Sequence, residues 1–316
     1  MVRYIVRRLL GMLPTFLLLL FLVVAMVRLI PGNIVDLMLE TQAGANNVNR
    51  IGLEHRLGLD QSLPVQYAKY TRNVFRGDLG HSLWNQRSVT GLIGERLPPT
   101  LELVSIAVLI SLVLAVPIGM ISAIRQDTPL DYGLRGLVIF GLSLPDFALA
   151  TMVIIFPAIW FHWTPPLDYK SFIQNPMDNL GQTIIPALLL GVGLSASLTR
   201  MTRATMLEVL RQDYIRTAWA KGLNERVVVI QHAFKNALIP VVTLFGIQMA
   251  FLLSGAVIME SIFAIPGIGR LLLDSITSRD YPIIQGVTVM VAIGVMLINL
   301  TVDISYAYLD PRIRLS

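Results

Sequence analysis

The sequence predicts an all-α membrane protein: a polytopic bundle of six transmembrane helices with a helical external cap and a cytosolic helical segment. Hydrophobic residues make up 54% of the chain and charged residues 14%, whereas soluble domains carry about 25% charged residues. Six apolar segments reach the length of about 20 residues that crosses a bilayer. They are residues 9–30, 103–124, 136–163, 180–201, 237–263 and 282–309.

Three of these segments have features of their own. The first follows Arg3, Arg7 and Arg8, but it is too long for the apolar core of a signal peptide, which has about 7–15 residues. We therefore expect it to remain as a span. The third is interrupted by Leu144-Pro145-Asp146, which predicts a kink or a break. The fourth has small residues at positions 191, 193, 195 and 197, which favour close helix packing, with a pore-lining face as the alternative.

The distribution of basic residues predicts the orientation. Short loops rich in Lys and Arg stay in the cytoplasm, and such residues concentrate at the N-terminus, at 125–135, at 199–241 and at the C-terminus. This predicts a multi-pass protein of the cell (inner or plasma) membrane with both termini cytoplasmic. The transmembrane helices are therefore predicted to contact the lipid bilayer. The same bias explains the net charge of +5 without a nucleic-acid partner.

The long loop between the first two spans predicts the external cap. Helix-like pieces occur at 49–59, 65–76 and 89–96, separated by Gly, Pro and Asp. The predicted division is 1–30 for the cytoplasmic N-terminus and first transmembrane helix and 31–100 for the external helical cap. Residues 101–316 form the core with five transmembrane helices, including a cytosolic segment at 202–236.

No catalytic constellation is found in the sequence. It has no cysteine, no phosphate-binding glycine motif, no H-E-x-x-H motif, and four widely spaced histidines. We therefore predict a non-catalytic chain with no metal site and no cofactor of its own. Two acidic residues within spans have structural interpretations. Asp146 is expected to accept backbone N–H groups freed at the kink, in preference to contacting a substrate. Glu260 is expected to reach the interface or to pair with Arg270.

Residues 199–241 contain the most informative polar stretch. Seven basic residues stand there against three acidic ones, and 201–220 has no Gly or Pro. This predicts a helix that ends near Gly222, with Pro240 opening the next apolar helix. The residues alone leave two interpretations open. The helix could enter the groove of a partner protein, or it could lie on anionic lipid.

The run Arg216-Thr217-Ala218-Trp219-Ala220-Lys221-Gly222, followed by Ile239-Pro240, resembles the E-A-A…G…L-P motif of the membrane permeases of binding-protein-dependent ABC importers. Arg216 and Thr217 replace the Glu and Ala of the general motif, which is typical of the dipeptide, oligopeptide and nickel subgroup. Trp219 stands where that subgroup usually has Arg. Pro266-Gly267-Ile268-Gly269-Arg270 and Arg279-Asp280-Tyr281-Pro282 also resemble this subgroup, and the likeness is greatest to the first permease subunit of dipeptide importers.

The resemblance implies a type I importer permease fold in which the cytosolic segment carries a coupling helix. That helix would sit in a cleft of an ATPase subunit. The implied coupling residues are Asp213, Tyr214, Arg216, Thr217, Ala218, Trp219, Ala220, Lys221, Gly222 and Leu223.

The resemblance also implies the partners: a second homologous permease forming a heterodimer, two cytosolic ABC ATPases that bind ATP and Mg²⁺, and an extracytoplasmic substrate-binding protein. The implied function is uptake of di- and oligopeptides. Nickel, glutathione or an oligosaccharide are alternative cargoes of the same machine. A stand-alone secondary transporter or channel is the alternative of another class. It is disfavoured because inverted repeats and matching intramembrane acids are not found in the sequence.

Overall fold

The structure is a computed structural model that describes residues 2–29, 61–166 and 168–309. Helices account for most of these residues, and no strand is assigned among them. The helices are α1 (Val2–Leu29), α2 (Leu63–Val74), α3 (Val89–Ile124), α4 (Pro129–Ser143), α5 (Asp146–Phe161), α6 (Pro176–Leu210), α7 (Asp213–Ala220), α8 (Glu225–Val227), α9 (Lys235–Ile262), α10 (Ile268–Thr277) and α11 (Tyr281–Leu309), with a π-helical segment (Val228–Phe234) between α8 and α9. The predicted all-α class is confirmed.

Five of the predicted spans are single helical stretches in the described part of the chain. Their apolar ranges are Ile5–Met26, Val89–Ile124, Pro176–Leu210, Glu225–Leu253 and Tyr281–Tyr306. The third predicted span is a broken pair, in which α4 and α5 are bent by 84°. Leu144 and Pro145 both adopt extended backbone conformations. A residue before proline is driven out of the α region, which ends α4 at Ser143 and confirms the predicted break.

The second predicted span differs from expectation. Residues 89–96 were expected to form a separate piece of the cap, but α3 runs without interruption from Val89 to Ile124 and contains Pro98, Pro99 and Pro117. Proline removes a backbone donor, yet its fixed φ is compatible with a helix, so the helix continues across the pair. The predicted piece at 65–76 is confirmed as α2, and the piece at 49–59 lies outside the described residues.

The start of the fifth span also differs from expectation. Pro240 does not open that helix but lies inside α9, because helical structure already begins at Glu225. The Asn224 side chain caps this beginning by accepting the backbone N–H of Arg226 at 3.1 Å. Burial of Val228 and Ala233 then stabilises the segment that precedes the proline.

The described residues pack into two compact units. One contains residues 2–5, 97–166, 168–270 and 294–309, and the other contains 6–29, 61–96 and 271–293. In the smaller unit Leu20, Val23 and Val289 form an apolar cluster. Asp280, a buried residue of the same unit, accepts hydrogen bonds from the Ser82 hydroxyl at 2.5 Å and from the backbone N–H of Leu83 at 3.2 Å.

In the larger unit, α3 and α6 approach closely at Gly191. A methyl group at this position would lie 2.8 Å from the carbonyl oxygen of Ala107 and 2.8 Å from Cβ of Ile110. Real side chains do not tolerate such distances, so the contact requires glycine. The predicted close packing of the fourth span is therefore confirmed at this position.

Candidate functional site

The predicted coupling residues lie on α7 and the turn that follows it. Gln212 precedes α7 in an extended conformation, and Asp213 occupies its first turn. A carboxylate there interacts favourably with the positive end of the helix dipole. The helix has eight residues, which is too short to be stable alone. Its stability must therefore come from packing.

The packing is supplied by Ile215 and Ala218, which lie three residues apart and therefore on one face of α7. Ile215 is fully buried, and Ala218 is 8% exposed. Both belong to an apolar cluster that also contains Ala123 of α3, Met206 of α6, and three residues of the π-helical segment: Val228, Val229 and Ala233. The short helix is thus fastened to α3, α6 and the segment before α9.

The rest of the α7 surface, on both flanks of the buried face and opposite it, has no covering in the described chain. Tyr214 and Trp219 are each 44% exposed, and Leu223 is 38% exposed. Of the ten predicted coupling residues, Ala218 is the one that is buried, and the other nine are exposed. Ile215 is absent from the predicted set, although its three-residue spacing from Ala218 is a signal that could have found it.

Gly222 ends the helix in the way its sequence position predicts. Its φ is +72°, in the left-handed region that side chains with a Cβ rarely adopt. Its N–H donates to the carbonyl of Trp219 at 2.9 Å, and the N–H of Leu223 donates to the carbonyl of Ala218 at 3.4 Å. This pair of bonds is a Schellman motif. It directs the chain after α7 so that Leu223 remains at the surface.

A second set of hydrogen bonds ties α7 to the helical segment that follows. The Tyr214 hydroxyl accepts from Nδ2 of Asn236 at 2.8 Å and donates to the carbonyl of His232 at 3.4 Å. Nδ2 of Asn236 also donates to that carbonyl, at 3.0 Å. His232 and Asn236 were not among the predicted residues, although their four-residue spacing puts both on one helical face.

A buried ion pair lies between α4 and α6, upstream of α7. Nε and Nη2 of Arg203 donate to Asp131 at 3.0 and 2.7 Å, and the hydroxyl of Ser122 donates to the same carboxylate. Asp131 is fully buried. This bidentate geometry fixes the two helices more specifically than a single lysine contact could.

The two acidic residues singled out within spans do not behave as expected. Asp146 was expected to accept backbone N–H groups at the kink, but its carboxylate has no hydrogen-bond partner among the described residues. Glu260 was expected to reach the interface or to pair with Arg270. It is fully buried, and it accepts instead from the hydroxyl of Thr100 at 2.5 Å and from the backbone N–H of Arg270 at 3.0 Å.

Comparison of the chain with protein-family models identifies its family. Residues 115–315 match the model described as "Binding-protein-dependent transport system inner membrane component", and residues 1–104 match the model of the N-terminal part of such membrane components. The chain belongs to this family. It is a transport-system permease, and the predicted family is confirmed.

Curated relatives resemble the permease over its whole length. A protein of Brucella suis named as a peptide permease is 38% identical over 320 residues, covering 100% of both chains. The glutathione transport system permease protein of Pectobacterium atrosepticum is 38% identical over 315 residues, covering 99% of both chains. The corresponding glutathione permease of Salmonella paratyphi A is also 38% identical over 315 residues, with 99% of both chains covered.

Solved structures support the fold. An inward-facing crystal form of the MetNI methionine ABC transporter contains a chain that matches with a TM-score of 0.54 at 18% identity, covering 69% of the permease and 96% of that chain. A second inward-facing form of the same transporter gives a TM-score of 0.56 at 17% identity, with the same coverage. The type I importer permease fold is therefore confirmed.

Proposed function

We propose that this permease is the non-catalytic membrane subunit of an ATP-driven importer and that α7, with Gly222 and Leu223, is its contact with a cytosolic ATPase. One observation carries the proposal. A short helix is fastened to three parts of the bundle through Ile215 and Ala218, and Tyr214 and Trp219 on its flanks and Leu223 after its end are exposed. Exposed aromatic residues on a fixed helix suit insertion into a protein groove.

The packing of Ile215 and Ala218 against the bundle suggests how force passes from the ATPase to the transmembrane helices. An ATPase that moves on binding ATP would move α7, and the contacts of α7 would carry that movement to α3, α6 and α9. The complex does work only if the nucleotide favours one arrangement of the bundle over the other. ATP and Mg²⁺ bind to two ABC ATPase partners in this proposal, and the permease contributes no catalytic residue.

The remaining partners follow from the family likeness. A second homologous permease forms the pathway together with this one, and an extracytoplasmic binding protein delivers the solute. Both termini and residues 202–236 face the cytoplasm, as the distribution of basic residues predicts. This orientation puts α7 on the side where ATP is available.

Di- and oligopeptides are the proposed cargo, supported by the naming of the 38% identical relative from Brucella suis. Glutathione is a second candidate, because the relatives from Pectobacterium and Salmonella at the same identity are glutathione permeases. Oligopeptides and glutathione are chemically similar cargoes, since glutathione is itself a small peptide with a free amino group. Nickel and oligosaccharides have no comparable support, nor does a stand-alone secondary transporter.

The test is a pair of glycine substitutions in the importer reconstituted in proteoliposomes. Gly222→Val introduces a β-branched residue at positive φ, which distorts the end of α7. Gly77→Val is a matched control, because Gly77 has a φ of +79° and, like Gly222, has no atom within 4 Å of an added Cβ. We expect Gly222→Val to abolish ATP-driven uptake while membrane insertion is retained. Gly77→Val should keep most of the uptake.

Gly222→Asn completes the set, because asparagine tolerates the left-handed region better than other side chains. It should recover a large part of the uptake that Gly222→Val loses. Equal uptake by Gly222→Val and the unmodified complex would contradict the proposal. Loss in both valine variants would assign the effect to general backbone strain and not to the contact with the ATPase.

A further inference from the structure

Asp146 stands at the break between α4 and α5 as the first residue of α5. Its side chain is exposed in the isolated chain, and no hydrogen bond or ion pair joins it to another described residue. Arg203, by comparison, pairs with Asp131. Asp146 is therefore an acidic group within the spanning segments whose partner is not supplied by the described part of the chain.

The carboxylate opens onto a cavity of about 360 Å³. This volume lies within the range of about 300–1,000 Å³ that is usual for small-molecule sites. α5, α6 and α9 contribute its walls, and among the described side chains that line it, all apart from Asp146 are apolar. The lining includes Phe147, Leu190, Leu194, Phe251 and Met259. One charged group in an apolar enclosure is the arrangement that orients a small ligand.

Gly193 of α6 leaves room for the carboxylate. A methyl group at Gly193 would lie 2.9 Å from Oδ1 of Asp146 and 3.4 Å from Oδ2. The carboxylate thus lies over Gly193, a position of α6 that has no side chain. A larger residue at position 193 would displace the carboxylate from its present position.

An ionised carboxylate within the hydrocarbon region is costly unless it meets water or an opposite charge. Substrate sites in membrane transporters form where a spanning helix is interrupted, near the middle of the bilayer. Asp146 lies at such an interruption, the 84° bend between α4 and α5, and it lacks a partner among the described residues. A cationic group that enters the cavity would supply an opposite charge to this carboxylate.

We propose that Asp146 binds the ammonium group of the transported solute, such as the free amino terminus of a small peptide, during its passage through this cavity. This inference rests on the proposed importer function and adds the substrate group that the permease itself recognises. The apolar walls would accept the remainder of the solute without selecting a particular side chain. Gly193 acts as a positioning residue because it keeps the space that the carboxylate occupies.

The absence of cysteine from the chain permits a charge-rescue experiment. Asp146→Cys is assembled into the complete importer, and uptake of tri-alanine and of glutathione is measured in proteoliposomes at saturating binding protein. We expect uptake to fall by about tenfold, the usual effect of losing one charge-assisted contact. Reaction with a sulfonate-bearing methanethiosulfonate restores a negative charge and should restore much of the uptake. A trimethylammonium-bearing reagent of similar size should restore none.

Two controls and one further test variant accompany Asp146→Cys. Asp127→Asn removes a carboxylate from an exposed position with a φ of +59°, which asparagine tolerates, and should leave uptake unchanged. Gly193→Ala should lower uptake of the same peptides. The unmodified complex treated with both reagents reports any reaction on partner subunits.

Equal uptake by Asp146→Cys and the unmodified complex overturns the inference, and so does an equal response to both reagents. Loss of the second permease from purified Asp146→Cys complexes also overturns it, because the carboxylate would then pair with that subunit and not with cargo. The proposed function fails separately, if the unmodified complex shows no ATP-driven uptake of either peptide.

Discussion

Two polar regions of the larger unit differ in how their groups are satisfied. Around Glu260 the polar atoms are buried and paired: Thr100 donates to the carboxylate at 2.5 Å and accepts the backbone N–H of Ile268 at 2.9 Å. On α7 the aromatic side chains of Tyr214 and Trp219 are exposed, and Trp219 makes no side-chain hydrogen bond among the described residues. The polar groups of the first region are paired within the described chain, whereas the second region presents surface that the described residues do not cover.

This difference indicates that the Glu260 region contributes to stability and that α7 is available for interaction with a partner. Buried polar groups that are fully bonded hold helices in register, and losing one partner leaves the others unsatisfied. An exposed apolar side chain on a fixed helix contributes little to folding and is available to a partner. Substitutions in the first region should therefore alter unfolding, and those in the second should alter assembly.

Glu260→Ala should have the largest effect on stability. It removes the acceptor for the Thr100 hydroxyl and for the Arg270 backbone N–H, leaving both buried donors unpaired. We expect a loss of roughly 3–5 kcal/mol in the free energy of unfolding, measured by thermal and denaturant unfolding in detergent. Glu208→Ala, at an exposed position of α6, should change it by less than about 0.5 kcal/mol. Similar small changes in both variants would contradict the comparison.

Ile215→Ala should affect both stability and assembly, because it removes the buried side chain that holds the exposed helix α7 against the bundle. Ile215 is fully buried in the cluster with Met206 and Val228. Truncation of such a residue costs about 2–4 kcal/mol. Hydrogen exchange should show faster exchange of α7 amides with little change in α10. Unchanged exchange in α7 would mean that the helix does not depend on this contact.

Local signals in the sequence predicted the break at Pro145 and the helix end at Gly222, because both depend on the backbone preferences of one or two residues. The bonds that hold helices together could not be predicted in the same way. Thr100 and Glu260 are 160 residues apart, and Asp131 and Arg203 are 72 apart. Such pairs form only once helix packing is known. The unbroken course of α3 across Pro98 and Pro99 was missed because helix continuation depends on its packing as well as on local preference.

Trp219→Ala should separate assembly from stability. Trp219 is 44% exposed, so its truncation should change the free energy of unfolding by no more than about 0.5 kcal/mol. A central aromatic contact at an interface is worth about 2 kcal/mol, which corresponds to roughly a 30-fold weaker ATPase affinity. Titration of the detergent-solubilised permeases with ATPase measures this affinity. Trp84→Ala, at an exposed tryptophan of the smaller unit, is the matched control and should not change it.

Tyr214→Phe should have the smallest effect. It removes the hydroxyl that accepts from Asn236 at 2.8 Å and keeps the aromatic ring. A single hydrogen bond contributes about 1 kcal/mol, so hydrogen exchange in α7 should become about fivefold faster, with ATPase affinity nearly unchanged. A drop in affinity as large as that of Trp219→Ala would mean that the hydroxyl contacts the partner directly.

Cysteine crosslinking tests the central claim, that the exposed side of α7 is occupied by an ATPase, most directly. Because the chain has no cysteine, Leu223→Cys provides a single thiol in the permease, and Arg76→Cys provides an exposed control thiol in the smaller unit. In assembled complexes treated with a short bifunctional maleimide, we expect a permease–ATPase adduct for Leu223→Cys and none for Arg76→Cys. The claim would be contradicted if Leu223→Cys formed no adduct and reacted with a soluble maleimide equally fast with and without the ATPase.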